Sequence, residues 1–93
     1  MNVRERDVEG YLIGRVEQAG LVCLKFNPDL KNGMPDRLIL LPGEKVVWVE
    51  LKTKGGSLSE IQKLQHKKLR QAGHRVEVVW TKAQADELVD GLL

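Results

Sequence analysis

Three ionisable residues, Asp36, Glu50 and Lys52, fall within the stretch Gly33 to Lys52, GMPDRLILLPGEKVVWVELK. Two carboxylates meeting at one point suit Mg²⁺ or Mn²⁺, which take oxygen ligands and keep waters that a phosphate oxygen can replace. An ammonium beside such a pair can stabilise a hydroxide nucleophile or the charge developing on a scissile phosphate, so the chemistry expected is metal-assisted phosphodiester hydrolysis. Zinc does not fit, because the only histidines are His66 and His74 and no Cys/His ligand spacing exists. A serine or cysteine nucleophile with a histidine base is equally unsupported.

The elements needed to bring these groups together can be read from the same stretch. Residues 36–41 (DRLILL) and 45–52 (KVVWVELK) are β-rich runs flanking Pro42-Gly43-Glu44, a short turn that favours antiparallel pairing. Strand side chains alternate, so Glu50 and Lys52 share one face, and a suitable register sets Asp36 beside Glu50. Before this hairpin, residues 4–19 have helical periodicity, with Val8, Leu12, Val16 and Ala19 in one stripe and Gly20 as the stop. Glu9 falls inside the apolar arc, a costly position for a carboxylate unless it is a boundary residue whose head reaches water. Glu5 lies one turn earlier near the same meridian, where the helix dipole also accounts for an acid.

Residues 21–26 (LVCLKF) form the first strand. After the hairpin, Ser59 and Gln62 have the form of a capping box opening a helix to Ala72, with Ile61, Leu64, Leu69 and Ala72 as its expected core stripe. Lys63, Lys67 and Arg70 then face solvent. Residues 75–80 are a fourth strand and 83–90 a final helix. The order αβββαβα, with a helix joining the third strand to the fourth, predicts an α/β fold: one small domain over 1–93 with a mixed central sheet flanked by helices.

Composition narrows the function classes. Ninety-three residues bury about 60–65% of the unfolded chain's surface, a thin core for three layers, so helix faces are left for a homodimer to cover. No apolar run nears the ~20 residues of a membrane span. The charged N-terminus lacks the apolar segment of an export signal, and the single Cys23 fits a reducing cytoplasm and a buried thiol. Net charge is only +2, but residues 52–75 carry seven basic side chains and one acid, a local charge of +6 on a body of −4. That is a footprint for nucleic acid, and the 4% aromatic content favours shape and phosphate contacts over base stacking. Lys54, Lys63, Lys67, Lys68 and Arg70 are the candidate phosphate contacts, weighed against an ordinary solvated helix face.

Each short motif has a bland alternative: PD often opens a strand, and ELK is often an exposed ion pair. Their combination is more informative. With Glu9 eleven positions before Gly20, then GMPDRLILLPG, VVWVELK and SLSEIQKLQHKKLRQAGHRVEVV, nearly the whole chain resembles the VRR-Nuc (virus-type replication-repair nuclease) domain of the PD-(D/E)xK nuclease superfamily. The resemblance implies a restriction-endonuclease-like αβββαβ core and a metal-dependent DNA endonuclease. Asp36 and Glu50 would be metal ligands, Lys52 catalytic, Glu9 an additional metal-site acid and Gln62 a helix-borne residue at the site, a role it would share with capping. Small stand-alone members resemble homodimeric Holliday-junction resolving enzymes of bacteria and viruses, which implies branched DNA as substrate, a role in DNA repair, and the cytoplasm of a bacterial or virus-infected cell. Gly33, Pro35 and Arg37 surround the aspartate in the family pattern, with no role assigned to Arg37. The alternative is a non-catalytic nucleic-acid-binding module retaining the fold, which gives no reason to gather two acids beside a phosphate.

Overall fold

The computed structural model describes residues 4–27, 29–53 and 55–93. Its elements run α1 (Glu5–Gln18), β1 (Val22–Lys25), β2 (Arg37–Leu41), β3 (Lys45–Leu51), α2 (Glu60–Gln71), β4 (Arg75–Val79) and α3 (Lys82–Leu92). The four strands form one sheet in the order β1-β2-β3-β4, antiparallel except for the parallel β3-β4 pair. The parallel pair requires a crossover, and α2 supplies it. The α/β mixed-sheet expectation is met, with each element within one or two residues of its sequence bounds.

The β2-β3 turn fixes the register. Gly43 and Glu44 adopt left-handed φ values of 78° and 63°, closing a loop between the paired residues Leu41 and Lys45. Every later pair follows from it, down to Arg37 opposite Val49. One step further along, where β2 begins, Asp36 comes level with Glu50.

Alternation then sorts the two faces of the sheet. Ile39, Val47, Val49 and Leu51 are buried with Val8, Leu12 and Val16 of α1 and Ala85, Leu88 and Val89 of α3. These two helices are clamped to each other by polar contacts: Tyr11 donates to Asp86 at 2.7 Å, and Arg15 pairs with both Asp86 and Asp90. The other face, carrying Leu38, Leu40, Trp48 and Glu50, is covered by α2 alone. Where α2 does not reach, Val22, Leu24 and Leu40 are left exposed, and Phe26 meets Trp48 edge-on with ring centroids 5.4 Å apart.

The inner face of α2 departs from the apolar stripe expected of it. Leu64 is 45% exposed and Ala72 is exposed, whereas the fully buried positions are Gln65 and His66. The reason lies opposite: α2 packs over the part of the sheet that presents Glu50, and a buried carboxyl requires polar neighbours that a leucine row cannot give.

The loop ahead of Asp36 is tied to α2 through Gly33. Its φ is +83°, and a Cβ there would stand 2.8 Å from the Ile61 carbonyl oxygen and 2.9 Å from its carbonyl carbon. Backbone cannot move aside as a flexible side chain can. Gly33→Ala is therefore expected to cost about 2–4 kcal/mol from combined strain and overlap, read as a lowered midpoint in urea unfolding; an unchanged midpoint would mean the loop is not held against α2.

Candidate active site

Asp36 sits at the residue before β2, where the chain enters the sheet, and its Oδ2 accepts a hydrogen bond from the Leu51 amide at 2.8 Å. That bond aims the carboxyl across the hairpin towards the end of β3. Glu50 lies there on the α2 side of the sheet, only 2% exposed. Burial first, and a hydrogen bond with Asp36 second, push the Glu50 carboxyl up from its ordinary 4.5 to about 9. Burial beside a second acid therefore favours the neutral form of Glu50 in the metal-free protein. Lys52, two residues on and on the same face, opposes the shift by favouring the charged form.

The first helix contributes acids to two different places. Glu9 Oε2 accepts from Arg37 Nε at 2.8 Å, a part-buried ion pair on the α1 side of the sheet. This pairing satisfies the carboxylate that helical periodicity places in an apolar arc, and it gives Arg37 a partner. Glu5, one turn earlier, is the acid that feels the cluster. Burial raises its pKa, Asp36 raises it further, and Lys52 opposes, while Glu5 in turn helps to raise Glu50.

From the opposite side α2 adds His66, 1% exposed, with Nε2 3.3 Å from Glu50 Oε1. Burial first, then the nearby Arg70 cation, lower the His66 pKa, so the imidazole is neutral. Gln62 is engaged in the capping box: its Oε1 accepts from the Ser59 amide at 2.9 Å, and its own amide donates to Ser59 Oγ at 3.2 Å.

Comparisons with known proteins place the chain in a family. The family profile described as the VRR-NUC domain matches residues 15–83. The chain belongs to the VRR-NUC domain family. A solved VRR-NUC domain structure superposes with a TM-score of 0.83 at 27% identity, covering 96% of this chain and 97% of the other. The chain is also 35% identical over 77 residues, 83% of each sequence, to a protein named "Putative nuclease p44" from Acyrthosiphon pisum secondary endosymbiont phage 1. A nuclease domain takes nucleic acid as its substrate, and the profile match spans Asp36, Glu50, Lys52 and His66.

Of the residues expected at the VRR-NUC site, the fold brings together Asp36, Glu50 and Lys52. It sends the Glu9 carboxylate to Arg37 and the Gln62 oxygen to the start of α2. His66 meets Glu50, and Glu5 is near enough for its charge to be felt by the pair, though neither was expected at the site. Glu5 shares the meridian of Glu9, and His66 sits one turn beyond Gln62, but neither position identifies itself before the packing is known. Among the basic candidates, Lys67 and Lys68 are exposed on α2. Lys63 pairs with Glu60 at 3.2 Å, and Arg70, though exposed, donates to the Val76 carbonyl at 2.9 Å. Lys54 lies outside the described residues.

The donor set fits a hard divalent cation. Asp36 and Glu50 offer only oxygen, and a positive charge between them would relieve the repulsion that helps to raise the Glu50 pKa. Among the described residues no group of three or more His, Cys, Asp or Glu side chains is arranged to hold a metal.

Proposed function

We propose that this VRR-NUC domain is a divalent-metal-dependent DNA endonuclease, cutting branched DNA such as four-way junctions as a homodimer. The observation that carries the reading is the register that sets Asp36 level with a buried Glu50 at the sheet end, with Lys52 on the same face. When Mg²⁺ or Mn²⁺ is held by Asp36 and Glu50, it supplies Lewis-acid polarisation of the scissile phosphate and lowers the pKa of an attacking water. Lys52 sets an ammonium beside the phosphate, where it stabilises the negative charge that builds up on the non-bridging oxygens and the leaving oxygen. Asp36, anchored by the Leu51 amide, keeps its other oxygen directed at the cluster. Glu5 is favoured over Glu9 as the helix-borne acid here, since Glu9 is neutralised by Arg37.

Two surface features support the substrate and assembly parts of the reading. Lys67 and Lys68 are exposed on α2, the helix whose His66 meets Glu50. Val22, Leu24 and Leu40 leave an apolar strip on that same sheet face, uncovered by α2, and a second copy of the chain would bury it. Lys67→Ala with Lys68→Ala is expected to weaken DNA binding and reduce the slope of log affinity against log salt by about 1.8 for two lost phosphate contacts. An unchanged slope would make these lysines a solvated face.

Labelled four-way, flapped and linear duplex DNA, each incubated with purified protein and Mg²⁺, tests the substrate. Selective cutting of the four-way form supports the reading, and equal cutting of linear duplex overturns the junction preference. Sedimentation tests the assembly: a dimer that Leu24→Lys converts to monomer supports it, and a wild-type monomer removes it.

A further inference from the structure

The contact between His66 and Glu50 is not used by the reaction as described above. Both groups are almost wholly buried, at 1% and 2% exposure. Apolar side chains are available on α2, yet Leu64 faces solvent while the helix turns a histidine onto the carboxyl. A buried polar pair is less favourable than a packed hydrophobic one unless something else requires it. Something else is present, because Glu50 is half of the acid pair.

The hydrogen-bond inventory assigns the direction of the contact. Nε2 of His66 lies 3.3 Å from Glu50 Oε1, while Nδ1 is buried without a partner. A neutral imidazole carries one N–H. If the proton were on Nδ1, a buried donor would be orphaned, which is rarer and more costly than an unused acceptor lone pair. The proton therefore belongs on Nε2.

We propose that His66 is a positioning residue: its Nε2–H donates to Glu50 Oε1 and fixes the Glu50 carboxyl in the orientation in which its second oxygen faces Asp36 and a bound cation. The cation part rests on the function proposed above; the hydrogen bond does not. Orienting partners of metal ligands act in this way, holding a ligand in one rotamer so that binding does not have to order it.

The test uses Mn²⁺ as probe and three substitutions. His66→Leu removes the donor but fills the space, and it is expected to weaken Mn²⁺ binding by about 10- to 100-fold in calorimetry, with the metal-free melting temperature lowered because the buried Glu50 oxygen loses its donor. His66→Gln can place an amide N–H where Nε2 stood and is expected to restore affinity to within several-fold of wild type. His66→Asn places its amide where Nδ1 stood and is expected not to. Equal affinity in the Leu variant and wild type, or no difference between the Gln and Leu variants, would overturn the proposal and leave His66 as a core histidine. An independent arm needs neither metal nor substitution: two-bond ¹⁵N–¹H correlation spectra of the metal-free wild-type protein should show neutral His66 protonated on Nε2, and an Nδ1–H tautomer would overturn the proposal. Wild-type protein that binds no Mn²⁺ would sink the metal reading, while the tautomer still decides the His66 contact.

Discussion

Replacing Asp36 by asparagine, or Lys52 by alanine, is expected to reduce single-turnover DNA cleavage by at least about 10²- to 10³-fold, the usual loss when one preorganised charge is removed from a reacting centre. Asp36→Asn keeps an oxygen for the Leu51 amide, so the end of the hairpin remains closed. What it removes is the negative charge that the cation needs. Lys52→Ala removes the ammonium from a partly exposed position at the end of β3 and leaves no buried group unpaired. Both variants should retain the wild-type melting profile and most of their DNA affinity, which on this reading comes largely from basic side chains on α2. Cleavage measured under single-turnover conditions, with binding followed in parallel by fluorescence anisotropy, separates these outcomes. Wild-type rates in either variant would remove that residue from the site, and loss of folding would reassign it to structure.

The second large effect concerns Glu50 and pH. A carboxyl whose folded-state pKa is about 9 and whose ordinary value is 4.5 is neutral in both states below about pH 4.5. Above that the unfolded chain loses the proton while the folded chain keeps it, so the metal-free fold loses stability as pH rises, until the folded group ionises near 9. The linkage corresponds to at most about 6 kcal/mol, comparable with the whole stability of a small domain. The metal-free melting temperature should therefore fall by more than about 10 °C between pH 5 and pH 9. His66 acts in the opposite direction at the acid end: its lowered pKa means that the unfolded state gains the proton first, so the fold also weakens as pH drops below about 6.5. Glu50→Gln stays neutral and should flatten the alkaline limb while abolishing metal binding. Thermal melts in chelator across this range decide the matter. An alkaline limb identical in Glu50→Gln and wild type would show that Glu50 is already ionised in the fold.

The hairpin was legible in the sequence because its determinants are local. A short turn between two alternating runs sets a register, and the register alone places Asp36, Glu50 and Lys52. The mixed sheet followed from a helix-length connection between the last two strands. What could not be read was anything depending on which polar group answers another across layers. Helical periodicity put Glu9 and Glu5 on one meridian, but only the packing of α1 decides that Glu9 meets Arg37 while Glu5 feels the charges of Asp36 and Lys52. The inner face of α2 departs from its hydropathy pattern for a related reason. Leucines ordinarily mark a helix's buried side, yet here Glu50 is buried beneath α2, so the helix turns Gln65 and His66 inward and leaves Leu64 in solvent. Hydropathy periodicity detects apolar burial and is blind to a polar pair that satisfies itself.

The central claim is that Asp36 and Glu50 form a cation site that cuts DNA. Labelled four-way DNA incubated with purified protein, once in Mg²⁺ and once in chelator, tests it most directly. The account predicts discrete cleavage products with Mg²⁺ and intact DNA in chelator; equal cleavage in chelator would contradict it.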